Sequence, residues 1–192
     1  MIAVLVALAG VAGCSVGVGE GSATGQVWAP TCDLDGDDYD MEPSFFGADV
    51  LVDGADLLEI RMQRGSDRPE VSDGLVVQVN GASTVHAMLG TPIDLSDTDA
   101  DALAEMSLYL NDTCPFEIGD PAEAPVAYVS TGGTLTFSAI YAPEVDDSGK
   151  VITATFEDVE LVDPADPAER RAVLSGDFDF IFSRGRPAQP FP

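Results

Sequence analysis

The sequence predicts an all-β protein, a single antiparallel β-sandwich of about nine or ten strands, with a partly closed β-barrel as the alternative. Three observations carry this prediction. Apolar residues alternate with polar ones along several segments, which is the two-residue period of a half-buried strand. Two Asx-Gly pairs separate neighbouring segments, as in tight hairpins. At most one short segment, residues 97–106, has the pattern of a helix, with Ser96 as its N-cap.

The clearest predicted strands lie in the C-terminal third. In residues 174–182, apolar or small side chains take every second position, and mostly serine or aspartate takes the positions between. Residues 151–161 alternate in the same way, but the parity changes at Glu157-Asp158, which predicts a β-bulge. A further stripe of alternating apolar residues consists of Leu135, Phe137, Ala139 and Tyr141.

The first half of the chain predicts two hairpins. Asp53-Gly54 separates residues 45–52 from residues 57–63. Asn80-Gly81 separates residues 75–79 from residues 82–89. Both dipeptides favour the backbone of a two-residue hairpin turn. Further strands are predicted at residues 25–28, 106–111 and 126–130.

The N-terminal residues predict export and a lipid anchor. Residues 2–11 form an uncharged apolar run, too short to span a bilayer as a helix but about the length of a signal-peptide hydrophobic region. The run ends in Val11-Ala12-Gly13-Cys14, which resembles the lipobox of bacterial lipoproteins. The resemblance implies cleavage before Cys14 and acylation of Cys14, and two or three acyl chains hold a protein stably in a membrane. Ser15 follows instead of Asp, so the resemblance implies sorting to the outer membrane, with the folded domain in the periplasm or at the cell surface.

These features predict the domain organisation. Met1 alone precedes the apolar run, without the Lys or Arg that signal peptides carry there, so either the true start lies upstream of Met1 or the signal is weak. Residues 132–182 contain Gly-Thr-Leu-Thr-Phe, then a glycine turn, a Phe-Glu-Asp-Val strand and Leu-Ser-Gly-Asp-Phe. This stretch resembles the closing strands of uncharacterised bacterial β-rich envelope lipoproteins. The predicted segments are a signal peptide (1–13), a lipidated flexible tether rich in glycine (14–23), the β-sandwich domain (24–184) and a Pro-rich tail (185–192).

Two cysteines remain once Cys14 is assigned to lipid. Because the chain is predicted to be exported into an oxidising space, a Cys32–Cys114 disulfide is the expected state, and two free buried thiols are the alternative. A disulfide that closes so long a loop typically stabilises a fold by about 2–4 kcal/mol. A metal site on these cysteines is disfavoured, since their spacing and a single distant histidine do not supply four ligands.

The net charge of the chain excludes some classes of binding partner. It has 34 acidic and 8 basic residues, and its formal net charge is -26. Nucleic-acid binding depends on basic surface that contacts phosphates, so a DNA- or RNA-binding role is excluded. Anionic lipid head groups would also repel this surface, which leaves the anchor at Cys14 as the predicted contact with the membrane.

The sequence contains no motif typical of an enzyme. His86, the single histidine, is predicted to lie on a strand face, and there is no Gly-x-Ser-x-Gly, His-Glu-x-x-His or phosphate-binding glycine loop. Paired carboxylates are the groups that glycosidases use. Among 34 acidic residues, however, some pair will have a suitable separation by chance. The prediction is therefore a non-enzyme, with a carboxylate-based hydrolase as the less favoured alternative.

One acidic segment has part of a calcium-loop pattern. Its aspartates alternate as in the first half of an EF-hand-like or dockerin-like loop, and Ca²⁺ takes six to eight oxygen ligands. The segment departs from that pattern because the sixth place is Asp38 instead of glycine and the twelfth is Ser44 instead of glutamate. The alternative is a solvated acidic loop beside the disulfide. The candidate ligands are Asp33, Asp35, Asp37 and Asp40.

The leading functional hypothesis is a lipid-anchored cell-envelope protein with a binding or structural role and no catalytic activity. Its partner, a protein or a glycan, is not assigned by the sequence, and no cofactor is predicted apart from the candidate Ca²⁺. The second hypothesis is a calcium-dependent binding or adhesion module.

Overall fold

The computed structural model describes residues 15–50, 56–65, 69–97, 102–115 and 125–181. Residues 1–14, which include Cys14 and the predicted signal peptide, lie outside the described residues, as does the predicted Pro-rich tail. The described strands are β1 (Ser15–Ala29), β2 (Leu34–Met41), β3 (Phe45–Val50), β4 (Leu57–Gln63), β5 (Asp73–Asn80), β6 (Ile93–Asp94), β7 (Ala104–Leu110), β8 (Ala127–Ala139), β9 (Val151–Val162) and β10 (Arg171–Ile181). A helix, α1, covers Ala82–Ala87, and 3-10 turns cover Pro30–Cys32 and Pro69–Val71.

Eight of the strands close into an antiparallel barrel. Around the ring the order is β1, β3, β4, β5, β7, β8, β9 and β10, and β10 pairs with β1. One edge of β1 pairs with β3 near its start and with β2 near its end, so β2 and β3 extend along the same side of β1. The short β6 pairs with β8. The predicted all-β antiparallel class is confirmed, and the architecture is the barrel alternative, because β1 pairs along both of its edges and leaves the ring without a free edge there.

Glycines in β1 bring this strand close to β10. A Cβ on Gly17 would lie 2.6 Å from Phe180 Cδ2, and one on Gly19 would overlap the backbone of Asp179 and Phe180. Residues 18–28 pair with β10 without a break in register. The structure therefore corrects the predicted flexible tether, since residues 15–23 belong to β1. The alternating glycines reflect the close packing of the closing strands, not flexibility.

The interior of the barrel is filled by side chains. The rings of Phe46 and Phe180 stack with centroids 5.5 Å apart, and Phe137 meets Phe178 edge-on at 6.2 Å. These four side chains are at most 2% exposed. Dense aromatic packing of this kind contributes through both buried apolar area and ring geometry.

The alternation predicted for β9 and β10 is confirmed. In β9, every second residue is buried as far as Phe156, then Glu157 and Asp158 are both exposed, and the buried parity resumes at Val159. Asp158 has a positive φ of 48°, and the pairing with β10 shifts register opposite this point. The predicted bulge is therefore present, and it keeps apolar side chains inside the barrel on both sides of the irregularity.

The predicted helix is in the wrong place. β7 starts at Ala104, inside the segment expected to be helical, and residues 98–101 lie outside the described residues. The helix is instead α1, where the second strand of the Asn80-Gly81 hairpin was expected. Gly81 adopts φ 83°, and Asp56 accepts hydrogen bonds from the Gly81 and Ser83 N–H groups at 2.8 Å each, through its carbonyl and its carboxylate respectively. The helix start thus depends on a residue that is distant in sequence, which local patterns do not show.

The other predicted hairpin is present, since β3 and β4 pair from Phe45 opposite Gln63 to Val50 opposite Leu58. Its turn at Asp53-Gly54 lies outside the described residues. Among the described segments, none is a helix of sufficient length and apolarity to cross a membrane.

Candidate binding cleft

The outer face of β4, β5 and β7 forms a cleft of about 320 Å³. Strand alternation produces this face: Leu58, Ile60 and Met62 of β4 point into the core, so the residues between them point outward. Residues near the turn at Pro69–Val71 and Pro125 border the cleft. The lining residues are Glu59, Arg61, Gln63, Glu70, Ser72, Gly74, Val76, Gln78, Ser107, Tyr109, Asn111 and Pro125.

Gln63 is the most deeply buried amide of the cleft. Gln63 is 3% exposed, and its Oε1 has no hydrogen-bond partner in the described part of the chain. Leaving such an acceptor buried and unpaired costs about 1–3 kcal/mol. Gly74 lies opposite Gln63 in β5, and a Cβ there would lie 3.2 Å from Gln63 Cγ. A side chain at Gly74 would therefore crowd the stem of Gln63, and the glycine lets β5 pack closely against it.

Arg61, the guanidinium in the lining of the cleft, is paired with carboxylates. Arg61 Nη2 lies 3.0 Å from Asp49 Oδ2, and Arg61 Nε lies 3.4 Å from Glu59 Oε1. The single guanidinium is thus engaged by two carboxylates. Glu70 adds a third carboxylate at the rim, where it is exposed. The local charge is therefore negative, and it repels anions.

A cluster of buried polar groups lies next to the cleft, and its carboxylate has donors at both of its oxygens. Asp73, at the start of β5, is 0% exposed. Its Oδ1 accepts from the N–H groups of Asp112 at 3.0 Å and Thr113 at 2.9 Å. Its Oδ2 accepts from the Thr113 hydroxyl and from Tyr39 Oη, the latter at 3.3 Å, and Arg64 Nη1 lies 3.8 Å away. We call these five residues the Asp73 cluster.

The Asp73 cluster shifts the ionisation of its tyrosine. Burial raises the pKa of the Tyr39 phenol well above its usual range, and the negative charge of Asp73 raises it further. Arg64 also lies over the Tyr39 ring, with Cζ 5.5 Å from its centroid. All partners of Asp73 in the cluster are hydrogen-bond donors. This pattern is typical of a carboxylate with a structural role and not of a reactive one.

Cys32 and Cys114 form a disulfide, in agreement with the predicted pairing, and their Cα atoms are 5.5 Å apart. Cys114 directly follows Thr113, and Cys32 ends the 3-10 turn between β1 and β2. The disulfide and the Asp73 cluster therefore hold the same segment, residues 112–114, against the start of β5 and against the β1–β2 connection.

The predicted calcium ligands lie on or beside β2. All four are exposed. Asp33 adopts φ 59°, and Asp35 N–H donates to Asp37 Oδ2 at 2.8 Å. Because residues 34–41 pair with β1 as a strand, the backbone is not an EF-hand loop. Among the described residues, no group of three or more His, Cys, Asp or Glu side chains is placed to hold a metal ion, and calcium binding by Asp33, Asp35, Asp37 and Asp40 stays a prediction.

His86 lies in the last turn of α1 and not on a strand face, and its side chain is half-buried. The predicted strand there is wrong because Gly81 and Asp56 start a helix, as described above.

The sequence pattern alone does not reveal the cleft. A signal was present in β4, where Glu59, Arg61 and Gln63 alternate with core residues and so share the outward face. The depth of the cleft depends on Gly74 and on segments from other parts of the chain, which one strand pattern does not reveal. Comparisons of the chain with protein-family models, with curated proteins and with solved structures find no match.

Proposed function

We propose that this chain is a lipid-anchored cell-envelope protein whose barrel binds a small polar ligand in the cleft of β4, β5 and β7. The unpaired Oε1 of Gln63 carries the binding part of this proposal. Buried polar groups in folded proteins nearly always have a partner, because an unpaired one loses its hydrogen bond to water without replacement. A ligand that donates a hydrogen bond to Oε1 supplies that partner.

The shape of the cleft supports the same role. Its volume of about 320 Å³ lies at the lower end of the range for small-ligand pockets, about 300–1,000 Å³. Val76 and Pro125 supply apolar surface, and amide and hydroxyl side chains surround them. Apolar surface with a few converging polar groups is the usual composition of a ligand site.

The anchoring part of the proposal is supported by the lipobox-like sequence that ends at Cys14. β1 begins at Ser15, directly after this cysteine. An acylated Cys14 would therefore hold the barrel next to the bilayer, without an intervening tether.

The anchor is tested with Cys14→Ala, and with Ser15→Ala as the matched control. In cells that receive radiolabelled palmitate, we expect label in the wild type and in Ser15→Ala, and none in Cys14→Ala. The wild type should also enter the detergent phase on Triton X-114 partitioning. An unlabelled wild-type protein in the aqueous phase would contradict the anchor.

The cleft is tested by NMR, with a general library of small fragments added to the full chain labelled with ¹⁵N. We expect some fragments to shift the side-chain amide signals of Gln63. Val76→Trp, which fills the cleft from its floor, should abolish these shifts. Val173→Trp is the control, because Val173 is exposed on β10, on the opposite wall of the barrel. Fragment shifts that are no larger at the cleft than elsewhere would contradict the binding site.

A further inference from the structure

Resting on the proposed function, we infer that the cleft takes an uncharged, hydroxyl-bearing ligand of the size of a sugar ring. Three properties of the lining lead to this ligand class: the acceptor that lacks a donor, the guanidinium that is already paired with carboxylates, and side chains that both donate and accept hydrogen bonds.

The first property requires a donor on the ligand. Gln63 Oε1 accepts hydrogen bonds, so the partner that it lacks is an O–H or N–H group. Gln63 and Gly74 both line the cleft, so the amide belongs to the wall that a bound ligand contacts.

The second property disfavours charged ligands. One guanidinium stands against the carboxylates of Asp49, Glu59 and Glu70, so an anion meets net negative charge. An ammonium group needs a carboxylate that is not already paired. Glu59 is engaged by Arg61, and Glu70 is exposed at the rim, where water weakens its attraction. Neither a positive nor a negative charge on the ligand therefore adds much to its affinity.

The third property matches hydroxyl groups. An amide or a hydroxyl side chain can donate and accept hydrogen bonds, as can each hydroxyl of a sugar. Beside them, Val76 and Pro125 offer apolar surface for the C–H groups of a sugar ring. The side chains of the first kind are Gln63, Ser72, Gln78, Ser107, Tyr109 and Asn111.

The test compares neutral sugars with charged analogues of the same ring. The full ¹⁵N-labelled chain is titrated with glucose, galactose, mannose and N-acetylglucosamine, and separately with galacturonate and glucosamine. We expect at least one neutral sugar to shift the Gln63 side-chain amide signals with millimolar affinity. Its carboxylate analogue should bind about tenfold more weakly, because it meets net negative charge, and its amine analogue should bind no more tightly than the neutral sugar, because Glu59 is already paired.

Two variants locate the binding. Gln63→Met keeps the approximate volume of the side chain but removes the acceptor, and we expect it to weaken the binding of the neutral sugar about tenfold, followed through the backbone signals of β4 and β5. Val76→Trp should abolish binding, and Val173→Trp should leave it unchanged. Equal binding by wild type and Gln63→Met would overturn the inference.

The outcomes also separate this inference from the proposed function. If library fragments shift the cleft signals and no neutral sugar does, the ligand class is wrong and the cleft remains a binding site. If neither fragments nor sugars act at the cleft, both fail.

Discussion

Asp73 and Gln63 are two buried polar residues on neighbouring strands, and they differ in how far their side-chain oxygens are hydrogen-bonded. The carboxylate of Asp73 accepts four hydrogen bonds from Asp112, Thr113 and Tyr39 and has Arg64 nearby. The amide oxygen of Gln63 accepts none from the described residues. On the proposed function, this contrast distinguishes a polar residue that stabilises the fold from one that binds a ligand.

The largest expected effect is that of Asp73→Ala. The substitution leaves the hydroxyls of Tyr39 and Thr113 and two part-buried N–H groups without their acceptor, so we expect the free energy of unfolding to fall by about 3–5 kcal/mol. Denaturant unfolding measures it, with exposed Asp112→Ala as the control. A loss no greater than that of the control would remove the structural role of the Asp73 cluster.

The disulfide should have the next largest effect, because it holds the segment that donates to Asp73. Reduction of Cys32–Cys114 is expected to lower the stability by about 2–4 kcal/mol. Dithiothreitol should lower the Tm of the wild type but not that of the Cys32→Ser, Cys114→Ser double variant. A wild-type Tm that does not respond to dithiothreitol would show that the cysteines are not paired.

A third buried polar group, Tyr128, predicts sensitivity to alkaline pH. Its hydroxyl donates to the Trp28 carbonyl at 3.1 Å, and burial raises its pKa from 10.0 to about 12. Because the folded state holds this proton more tightly than the unfolded state, the contribution is complete below pH 10 and is lost as the pH rises toward 12. Tyr128→Phe should flatten the fall in stability over this range.

Tyr39 provides a second test of the alkaline sensitivity, because burial and the charge of Asp73 both raise its pKa, as burial does for Tyr128. The double variant Tyr39→Phe, Tyr128→Phe should therefore show a smaller alkaline loss than either single variant. An alkaline unfolding curve that is identical in the wild type and the double variant would contradict both assignments.

The smallest effect on stability is expected for Gln63→Met. Because the amide oxygen has no partner to lose, its replacement by an apolar group of similar size should leave the free energy of unfolding unchanged or raise it by up to about 1 kcal/mol. The comparison with Asp73→Ala by denaturant unfolding checks this. A loss of more than about 1 kcal/mol would show that the Gln63 amide is held by interactions with the protein.

The sequence predicted the parts of the fold that depend on local alternation. β9, β10 and the bulge at Asp158 follow from the parity of buried residues, because one face of each strand meets the core. The closure of the ring did not follow from that pattern. Alternating glycine over residues 15–21 is compatible with a flexible chain, and only the approach of β10 shows that the glycines are required by packing.

The site was less accessible to sequence reasoning than the fold. The calcium hypothesis rested on the acidic segment around Asp35, whose aspartates are close together in the sequence. The cleft, by contrast, combines residues of three strands, a turn and Pro125. The helix was misplaced for a related reason, since Asp56, which precedes the neighbouring strand β4, supplies the acceptors at the start of α1. Features built from distant residues require the strand order before they can be predicted.

The most direct test of the central claim is a pair of thermal unfolding curves for wild type and Gln63→Met, each recorded without ligand and with the neutral sugar that binds best. A ligand that binds only the folded state raises stability in proportion to its affinity. We predict that Gln63→Met is at least as stable as the wild type without sugar, and that the sugar raises the Tm of the wild type by the larger amount. A less stable Gln63→Met with an equal response to the sugar would contradict the account, because the Gln63 amide would then serve the fold and not a ligand.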